Sequence, residues 1–306
     1  MKKVYLYIIV SFISTQCVLA QNLTDGLMMP KKDFCTGVIY STDSWKNYWE
    51  GSLKRDNQNL GTVTTNNAMW MGSYGITPKL NVIAMLPYVW TKASGGTLHP
   101  MAGLQDVTIG AKYRFVSKDF ENSSFKAFAV GSFSIPTTNY TPDFLPLSIG
   151  LASKTFTARL NAVYSLKKTW YASISTAYVF RSNIFLDRAS YFTDGQLYLT
   201  NEVAMPNQFL FSGSLGYTKN ALRAELTYAQ QNTLGGGDIR RQDMPFASNQ
   251  MNFIKAGVMV MYQLPMVKNL AARATTSYTV AGRNVGQSTT YTAGLLYTFH
   301  FSPQQN

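Results

Sequence analysis

The sequence has 306 residues, of which 46% are hydrophobic, 14% aromatic and only 14% charged, and its formal net charge is +12. The many aromatic residues exclude a disordered chain, and the lack of apolar runs of about 20 residues after the N-terminus argues against a bundle of membrane helices. A charge-poor, aromatic-rich sequence is typical of a chain in which apolar and polar residues alternate finely.

Residues 1–20 have the pattern of a secretory signal peptide. Lys2 and Lys3 precede the apolar stretch from Val4 to Ile13, and small residues lead up to Ala20. Ten apolar residues are too few to span about 30 Å as a helix, so a membrane anchor is disfavoured. The sequence therefore predicts export from the cytoplasm, and the export signal alone does not specify the destination.

The remaining chain divides into a short periplasmic lead-in, residues 21–33, and one domain, residues 34–306. The domain shows the period-two alternation of β-strands. It is clearest at 106–116, where Val107, Ile109 and Ala111 alternate with polar neighbours. The alternation predicts twelve strands: 34–42, 61–76, 80–92, 104–116, 124–136, 153–166, 169–182, 206–218, 221–232, 251–264, 270–281 and 289–301.

The predicted connections alternate between short and long. Outer-membrane barrels have short periplasmic turns, longer extracellular loops and an even number of strands. The strands are also longer than the five or six residues usual in globular sheets. The sequence therefore predicts an all-β fold, a transmembrane antiparallel up-and-down β-barrel of about 12 strands with both chain ends at the periplasm.

The predicted inner faces are basic. Strand phase directs eight cationic side chains to the lumen, accompanied by Asp106 and Glu225, and we expect Arg223 to pair with Glu225. The excess positive charge would concentrate anionic solutes in a confined space. A structural network without transport selectivity is the alternative. The eight cations are Lys112, Arg114, Lys126, Arg159, Arg181, Arg223, Lys255 and Arg273.

The third predicted strand departs from this rule because its inward residues, Ile83 and Met85 among them, are apolar. They could form a track for a hydrophobic solute, or they could pack against a loop folded into the barrel. Near the first strand, Trp45, Tyr48 and Trp49 lie at i, i+3 and i+4. On a helix they would share a face, where they could plug the mouth, hold a solute or join the interfacial aromatic belt.

Signals for catalysis are sparse. The sequence contains no G-x-S-x-G motif and no His/Cys cluster with metal spacing. We therefore predict no enzymatic activity, no cofactor and no metal. The cations are spread over many strands, which argues against nucleic acid as a partner.

Two stretches resemble a known family. They are YGITPKLNVIAMLPYV at 74–89 and GLQDVTIGAKYRF at 103–115. Both are similar to the outer-membrane transporter family of the MetA-pathway of phenol degradation, with Gln105 where that family usually has glycine. More distantly, the chain is similar to long-chain fatty-acid channels. The resemblance implies a barrel in the outer membrane.

The last strand resembles the signal that the outer-membrane insertion machinery reads. Gly294, Tyr297 and Phe299 match its glycine and aromatic spacing. The expected partners are outer-membrane lipid, this machinery and a small-molecule solute. The expected function is a channel for passive uptake of small hydrophobic or aromatic solutes, including carboxylated ones. A general anion-preferring porin and a structural or adhesive barrel with partner-binding loops are the alternatives.

Overall fold

The computed structural model describes residues 21–240 and 245–301, so the predicted signal peptide lies outside the described residues. Twelve long antiparallel strands form the domain, at nearly the predicted positions. They are β1 Asp33–Trp45, β2 Val63–Thr77, β3 Leu80–Ala93, β4 Asp106–Asp119, β5 Ser123–Pro136, β6 Thr155–Leu166, β7 Trp170–Arg181, β8 Gln208–Lys219, β9 Leu222–Thr233, β10 Asn252–Gln263, β11 Leu270–Arg283 and β12 Thr289–His300.

Each strand pairs with its neighbours in chain order, and the sheet closes on itself. Strand β1 pairs with β2 on one side and with β12 on the other, where Asp33 lies opposite His300. Closure leaves neither of these two strands with an unpaired edge, as lipid requires. The prediction of a twelve-stranded membrane barrel is confirmed.

Short and long connections alternate as predicted, except at the last connection, 284–288, which is shorter than the turn 264–269 before it. The short-turn end of the barrel contains residues 78–79, 120–122, 167–169, 220–221 and 264–269, and both strand ends Asp33 and His300. Lys167, Lys168 and Asn220 have positive φ angles of 50°, 55° and 53°, which suit tight turns. The opposite end, which we call the loop end, holds five long loops and the connection 284–288, which has five residues.

The outer face has the composition that lipid requires. Its middle is aliphatic, and aromatic rings flank this band at both ends, as in outer-membrane barrels. The aliphatic band includes Val38, Ile109, Leu160, Ile174, Leu215, Leu226, Val258 and Leu295; the rings at the short-turn end include Tyr113, Phe115, Tyr164, Trp170, Tyr262 and Phe299; and those at the loop end include Tyr40, Tyr88, Phe133, Phe156, Phe180 and Tyr291. Among the described residues no helix is long and apolar enough to cross a bilayer.

Residues 21–32, the N-terminal segment, lie inside the barrel, whereas the sequence suggested a separate lead-in. Asn161 on β6 donates to the carbonyl of Leu23 at 3.0 Å. The side chain of Leu23 also lies against Gly110 on β4, where an added Cβ would come within 2.7 Å of it. The segment is held by polar and apolar contacts to inner faces, which period-two patterning cannot predict.

The long loops pack together into a loop cap. Ile184, Leu186 and Val203 from loop 182–207 form an apolar cluster with Ala247 from loop 234–251, and Leu145 of loop 137–154 packs on it. The cap contains two-residue to four-residue strands at Asn47–Glu50, Leu53–Asp56, Ala102–Leu104, Ile184–Phe185, Tyr191–Thr193, Gln196–Tyr198 and Glu202–Val203, and a 3-10 helix at Pro142–Phe144.

Candidate functional site

The N-terminal segment is fixed in the lumen by a buried ion pair. Nζ of Lys112 lies 2.9 Å from Oδ1 of Asp25, and the Lys112 side chain has 0% exposed surface. The same ammonium donates to the carbonyls of Asn22 at 2.5 Å and Asp25 at 2.9 Å. A buried ammonium must have its three donors satisfied, and this segment supplies the acceptors. Lys112 therefore acts as an anchor and is closed to a solute.

A second set of contacts secures the start and end of the segment. Oε1 of Gln21 accepts from Ser73 Oγ at 2.8 Å and from the backbone N–H of Met29 at 3.2 Å. Met29 is 1% exposed and packs in an apolar cluster with Cys35 and Met71. The segment thus covers the inner faces of β1 and β2 toward the short-turn end.

The apolar inner face of β3 is covered along its length. Ile83 is fully buried, and Met85 packs on the cluster that contains Met29. Nearer the loop end, Val89 is buried by Tyr140 and Ile149 of loop 137–154. Of the two readings left open from the sequence, these contacts favour packing, with the N-terminal segment as the main cover. Ile83 and Met85 form no open track for a hydrophobic solute.

Loop 137–154 is anchored inside the mouth of the barrel by hydrogen bonds. Thr91 Oγ1 donates to the carbonyl of Leu147 at 2.7 Å. The Tyr140 hydroxyl donates to the carboxylate of Asp106 and accepts from the N–H of Ala152. Burial, followed by the hydrogen bond to Asp106, raises the pKa of Tyr140, so the hydroxyl stays protonated. Asp106 is therefore occupied by a loop contact.

Three of the eight predicted lumen cations form ion pairs. Besides Lys112, Arg223 lies 2.6 Å from Glu225, as expected, and Lys255 lies 3.1 Å from Asp43 on β1. Three others bind uncharged acceptors: Arg114 donates to Pro78 O at 3.1 Å, Arg159 to Ser175 Oγ at 2.7 Å and Arg181 to Pro206 O at 3.2 Å.

Lys126 and Arg273 differ from the other six. Within residues 21–240 and 245–301 neither side chain makes a hydrogen bond or an ion pair. Arg273 lies opposite Gly294 in the β11–β12 register, and Lys126 lies on the lumen row of β5 near the short-turn end. Both cations are free to meet a solute.

Tyr171 on β7 lies flat against the inner face of the barrel wall. Its ring covers Gly216 on β8, where an added Cβ would lie 2.0 Å from Tyr171 Cζ. The hydroxyl reaches Glu225 on β9 and donates to Oε1 at 2.5 Å. The guanidinium of Arg223 stacks on the ring, 4.7 Å from its centroid. Glycine at position 216 thus lets a large side chain lie against the wall instead of projecting into the lumen.

Two adjoining cavities remain between the N-terminal segment and the wall made by β5 to β11. The inner cavity has a volume of about 180 Å³ and is lined by Asp25, Arg223, Glu225 and Arg273. The vestibule cavity, at the short-turn end, has a volume of about 280 Å³ and includes Lys126 and Lys168 in its lining. Both cavities are lined by Leu27, Ser173, Arg223 and Met261, and we call the pair the lumen passage.

The loop aromatics lie in the loop cap and not on a helix. Trp45 ends β1, while Tyr48 and Trp49 belong to the hairpin strand Asn47–Glu50. Trp49 is 8% exposed, and its backbone N–H donates to the carbonyl of Val285 at 2.9 Å. The condition of a helix is not met, because the segment pairs with a neighbouring strand and a loop. The three rings belong to the packing of the cap.

The predicted assembly residues lie at the closing seam. The rings of Tyr297 and Phe299 face lipid with centroids 4.7 Å apart, and Phe34 of β1 stacks on Phe299 at 6.3 Å. Gly294 faces the inner side, where an added Cβ would lie 2.9 Å from Ile39. Whether the insertion machinery reads these residues stays a prediction.

Comparison with one solved structure supports the fold, and two others are reported beside it. The COG4313 outer membrane channel from Pseudomonas putida F1 superposes with a TM-score of 0.71 at 14% identity, over 89% of this chain and 97% of that one. The KdgM porin gives 0.44 at 11% identity, over 86% and 99% of the two chains. The TodX deltaS2S3 mutant monoaromatic hydrocarbon channel gives 0.44 at 11%, over 89% and 91%.

No curated protein sequence matches the chain. A family model does match, and it covers both stretches on which the resemblance was based. The match extends over residues 56–295, most of the predicted domain, and the chain therefore belongs to the family described as "Putative MetA-pathway of phenol degradation".

Proposed function

We propose that this protein is an outer-membrane channel through which small, singly charged anionic solutes diffuse by way of the lumen passage. The observation that carries this proposal is the pair of unpartnered cations: Arg273 lines the inner cavity and Lys126 lines the vestibule cavity. Charges that line a confined, water-accessible space attract counter-ions and solutes of opposite sign. The short-turn end faces the periplasm in this proposal, by analogy with the connection pattern of outer-membrane barrels.

The composition of the passage favours carboxylates among the anions. The guanidinium of Arg273 offers a planar set of donors that matches a carboxylate. Ser173, Ser212 and Ser214 line the same cavity and can bind the uncharged part of a solute through their hydroxyls. The cavity is smaller than the about 300 Å³ at which drug-sized sites begin, so the solute should be small.

Aromatic carboxylates are the class we favour within this size range. The ring of Tyr171 and the side chains of Leu27 and Met261 supply apolar surface beside the cations. The description of the family refers to the degradation of phenol, which is in keeping with an aromatic solute. A solute with one ring and one carboxylate would use both kinds of surface.

A wide general porin is less well supported. The N-terminal segment occupies one side of the lumen, and loop 137–154 enters the mouth through the contacts of Thr91 and Tyr140. We therefore expect small, intermittent currents, whereas an open porin gives large and steady ones.

Current block in planar bilayers tests the proposal. Benzoate, benzyl alcohol and benzylammonium have similar sizes and differ in charge. Benzoate should enter the passage and interrupt the chloride current at concentrations where the other two have no effect. The complete absence of current would contradict the channel function. Equal block by all three compounds would contradict the preference for carboxylates.

A further inference from the structure

The short-turn end carries a charge imbalance that transport through the lumen does not explain. Eight exposed lysines lie there against two exposed carboxylates, Asp119 and Glu121. None of the eight is in an ion pair with another described residue. The loop end, by contrast, holds many of the acidic side chains, including Glu50, Asp56, Asp143, Glu202 and Asp238. The eight lysines are Lys31, Lys32, Lys79, Lys118, Lys167, Lys168, Lys219 and Lys268.

Next to three of these lysines, on the side away from the short-turn end, the lipid-facing wall contains an apolar recess. It has a volume of about 540 Å³ and lies across the outer faces of β6 to β10. Its large side chains include Tyr164, Trp170 and Leu215, and the small Ala172 and Ala224 leave space between them. The ring of Trp170 meets Tyr217 edge-on at 4.8 Å, which gives the recess a firm side wall. We call this recess the outer groove.

The backbone connects the outer groove to the lysines. Lys219 follows Tyr217 by two residues, so strand alternation places both on the lipid-facing row of β8. Thr218 donates its N–H to the carbonyl of Thr169 at 2.7 Å, which brings the turn 167–169 beside the end of β8. Lys167 and Lys168 in that turn therefore lie at the same end of the groove as Lys219, and Lys168 also borders the vestibule cavity.

The distance along β8 between the apolar recess and the lysine suits an amphiphilic molecule. From Leu215 to Lys219 the strand advances four residues, about 13 Å at the usual rise. A phospholipid places its phosphate and the upper part of its acyl chains at such a separation. Lysine side chains just outside the hydrocarbon region extend to the headgroups and attract anionic lipid.

We propose that the outer groove, together with Lys167, Lys168 and Lys219, is a binding site for one anionic phospholipid. One acyl chain lies in the recess beside Ala172 and Ala224, and the three ammonium groups bind the phosphate. The apolar recess and the cations are continuous, and this is why a lipid fits better than free phosphate. The groove opens on the outer face of the barrel, and of its three lysines Lys168 also lines the vestibule cavity.

Native mass spectrometry of the purified protein in detergent tests this site directly. Phosphatidylglycerol should bind about tenfold more tightly than phosphatidylcholine, since each lysine near anionic lipid contributes to affinity. Replacing the three lysines with glutamine (K167Q, K168Q and K219Q) should abolish that preference. A matched control, K31Q, K79Q and K118Q, removes the same charge elsewhere on the rim and should leave the preference intact. The double variant Ala172→Leu with Ala224→Leu fills the recess and should weaken the binding of both lipids.

Four outcomes would overturn the proposal. The first is equal binding of both lipids to the unmodified protein, and the second is an equal loss of the preference for phosphatidylglycerol in the two triple variants. The third is displacement of phosphatidylglycerol by millimolar inorganic phosphate. The fourth is unchanged lipid binding in the recess-filling variant. A shift of the recess-filling variant from dimer to monomer, without loss of lipid, would assign the groove to a second copy of the chain and would equally overturn it. The heat-modifiable migration of each variant shows that it is folded before it is measured.

Discussion

Lys112 on the inner face of β4 and Asp25 in the N-terminal segment form an ion pair at 2.9 Å, at a position where the Lys112 side chain is closed to solvent. The cation most deeply buried in the lumen therefore binds the protein itself. Its acceptors all belong to residues 21–32, so the segment is held on the β3, β4 and β6 side. The lumen passage is what remains on the opposite side, beside Arg223 and Arg273.

Asp25→Asn should loosen the N-terminal segment. The change leaves a buried ammonium with carbonyl acceptors and no counter-charge, and a hydrogen bond that involves a charged group contributes about 1.5–3 kcal/mol. Hydrogen–deuterium exchange of residues 21–32 should become faster while exchange in the strands is unchanged. Asp119→Asn, which removes an exposed carboxylate at the same end, is the control. Unaltered protection of the segment in the Asp25 variant would mean that the ion pair does not hold it.

Gly216→Val should narrow the lumen passage. The new side chain would collide with the Tyr171 ring, which lies 2.0 Å from the Cβ position. Tyr171 must then leave Glu225 and turn into the lumen, so the single-channel conductance should fall. Gly213→Ala on the same strand is a matched control, because its nearest neighbour would be a carbonyl 3.5 Å away. Equal conductance of the two variants would contradict the packing of Tyr171 against the wall.

Asp238 should control the stability of the loop cap against acid. It accepts hydrogen bonds from Arg283 at 2.6 Å and from Asn284 at 2.7 Å, and the Arg283 hydrogen bond lowers the pKa of Asp238. Because the pKa of Asp238 is lower in the folded state, its contribution to the stability of the cap is complete above the unfolded pKa of about 3.9. That contribution is lost as the pH falls through the lower folded-state pKa. The cap should therefore behave alike at pH 7 and pH 5.

Asp238→Asn should weaken the loop cap at neutral pH in the same way that acid weakens it in the unmodified protein. Asn284 connects loop 234–251 to the hairpin loop, because its Oδ1 accepts from Gly51 at 2.8 Å and Ile239 at 3.0 Å. Limited proteolysis within 46–62 and 234–251 should become faster at pH 7 than in the unmodified protein. Asp187→Asn, in an exposed part of loop 182–207, should have no effect. Equal cleavage rates in both variants would show that Asp238 does not stabilise the cap.

Phe299→Ala and Gly294→Val should reduce the amount of folded barrel. Phe299 stacks with Phe34 across the seam at 6.3 Å, and a side chain at 294 would press on Ile39 at 2.9 Å. Both changes weaken the pairing of β12 with β1 that closes the sheet. The heat-modifiable fraction in outer-membrane preparations measures the yield, with Leu295→Ala as the lipid-facing control. Normal yield of both variants would argue against a role in assembly.

The strand alternation was sufficient to predict the barrel, the connection pattern and the inward direction of the eight cations. It could not predict which cations stay free, because their partners come from distant parts of the chain. Asp25 reaches Lys112 across 87 positions, and Asp43 reaches Lys255 across 212. Strand alternation gives the face on which a residue lies. It does not show which distant residue each of these carboxylates contacts.

The loop cap was the least predictable part. The spacing of Trp45, Tyr48 and Trp49 fits a helix, yet Gly51 adopts a φ of 56° in a tight turn and the segment pairs as a hairpin with Leu53–Asp56. Glycine readily adopts this conformation, so a turn signal at Gly51 was present in the sequence. The inner face of β3 was correctly identified as apolar, but its cover comes from residues 21–32 and 137–154, which show no regular pattern.

The reversal potential in planar bilayers tests the central claim, that Arg273 and Lys126 give the lumen passage its preference for anions. Under a potassium chloride gradient at low salt the unmodified protein should be anion-selective. Arg273→Gln with Lys126→Gln should shift the reversal potential toward cations, while Lys92→Gln, outside the lumen, should not. The difference should fade in 1 M salt, where the Debye length is about 3 Å. A cation-selective unmodified protein, or an unchanged reversal potential in the double variant, would contradict the account.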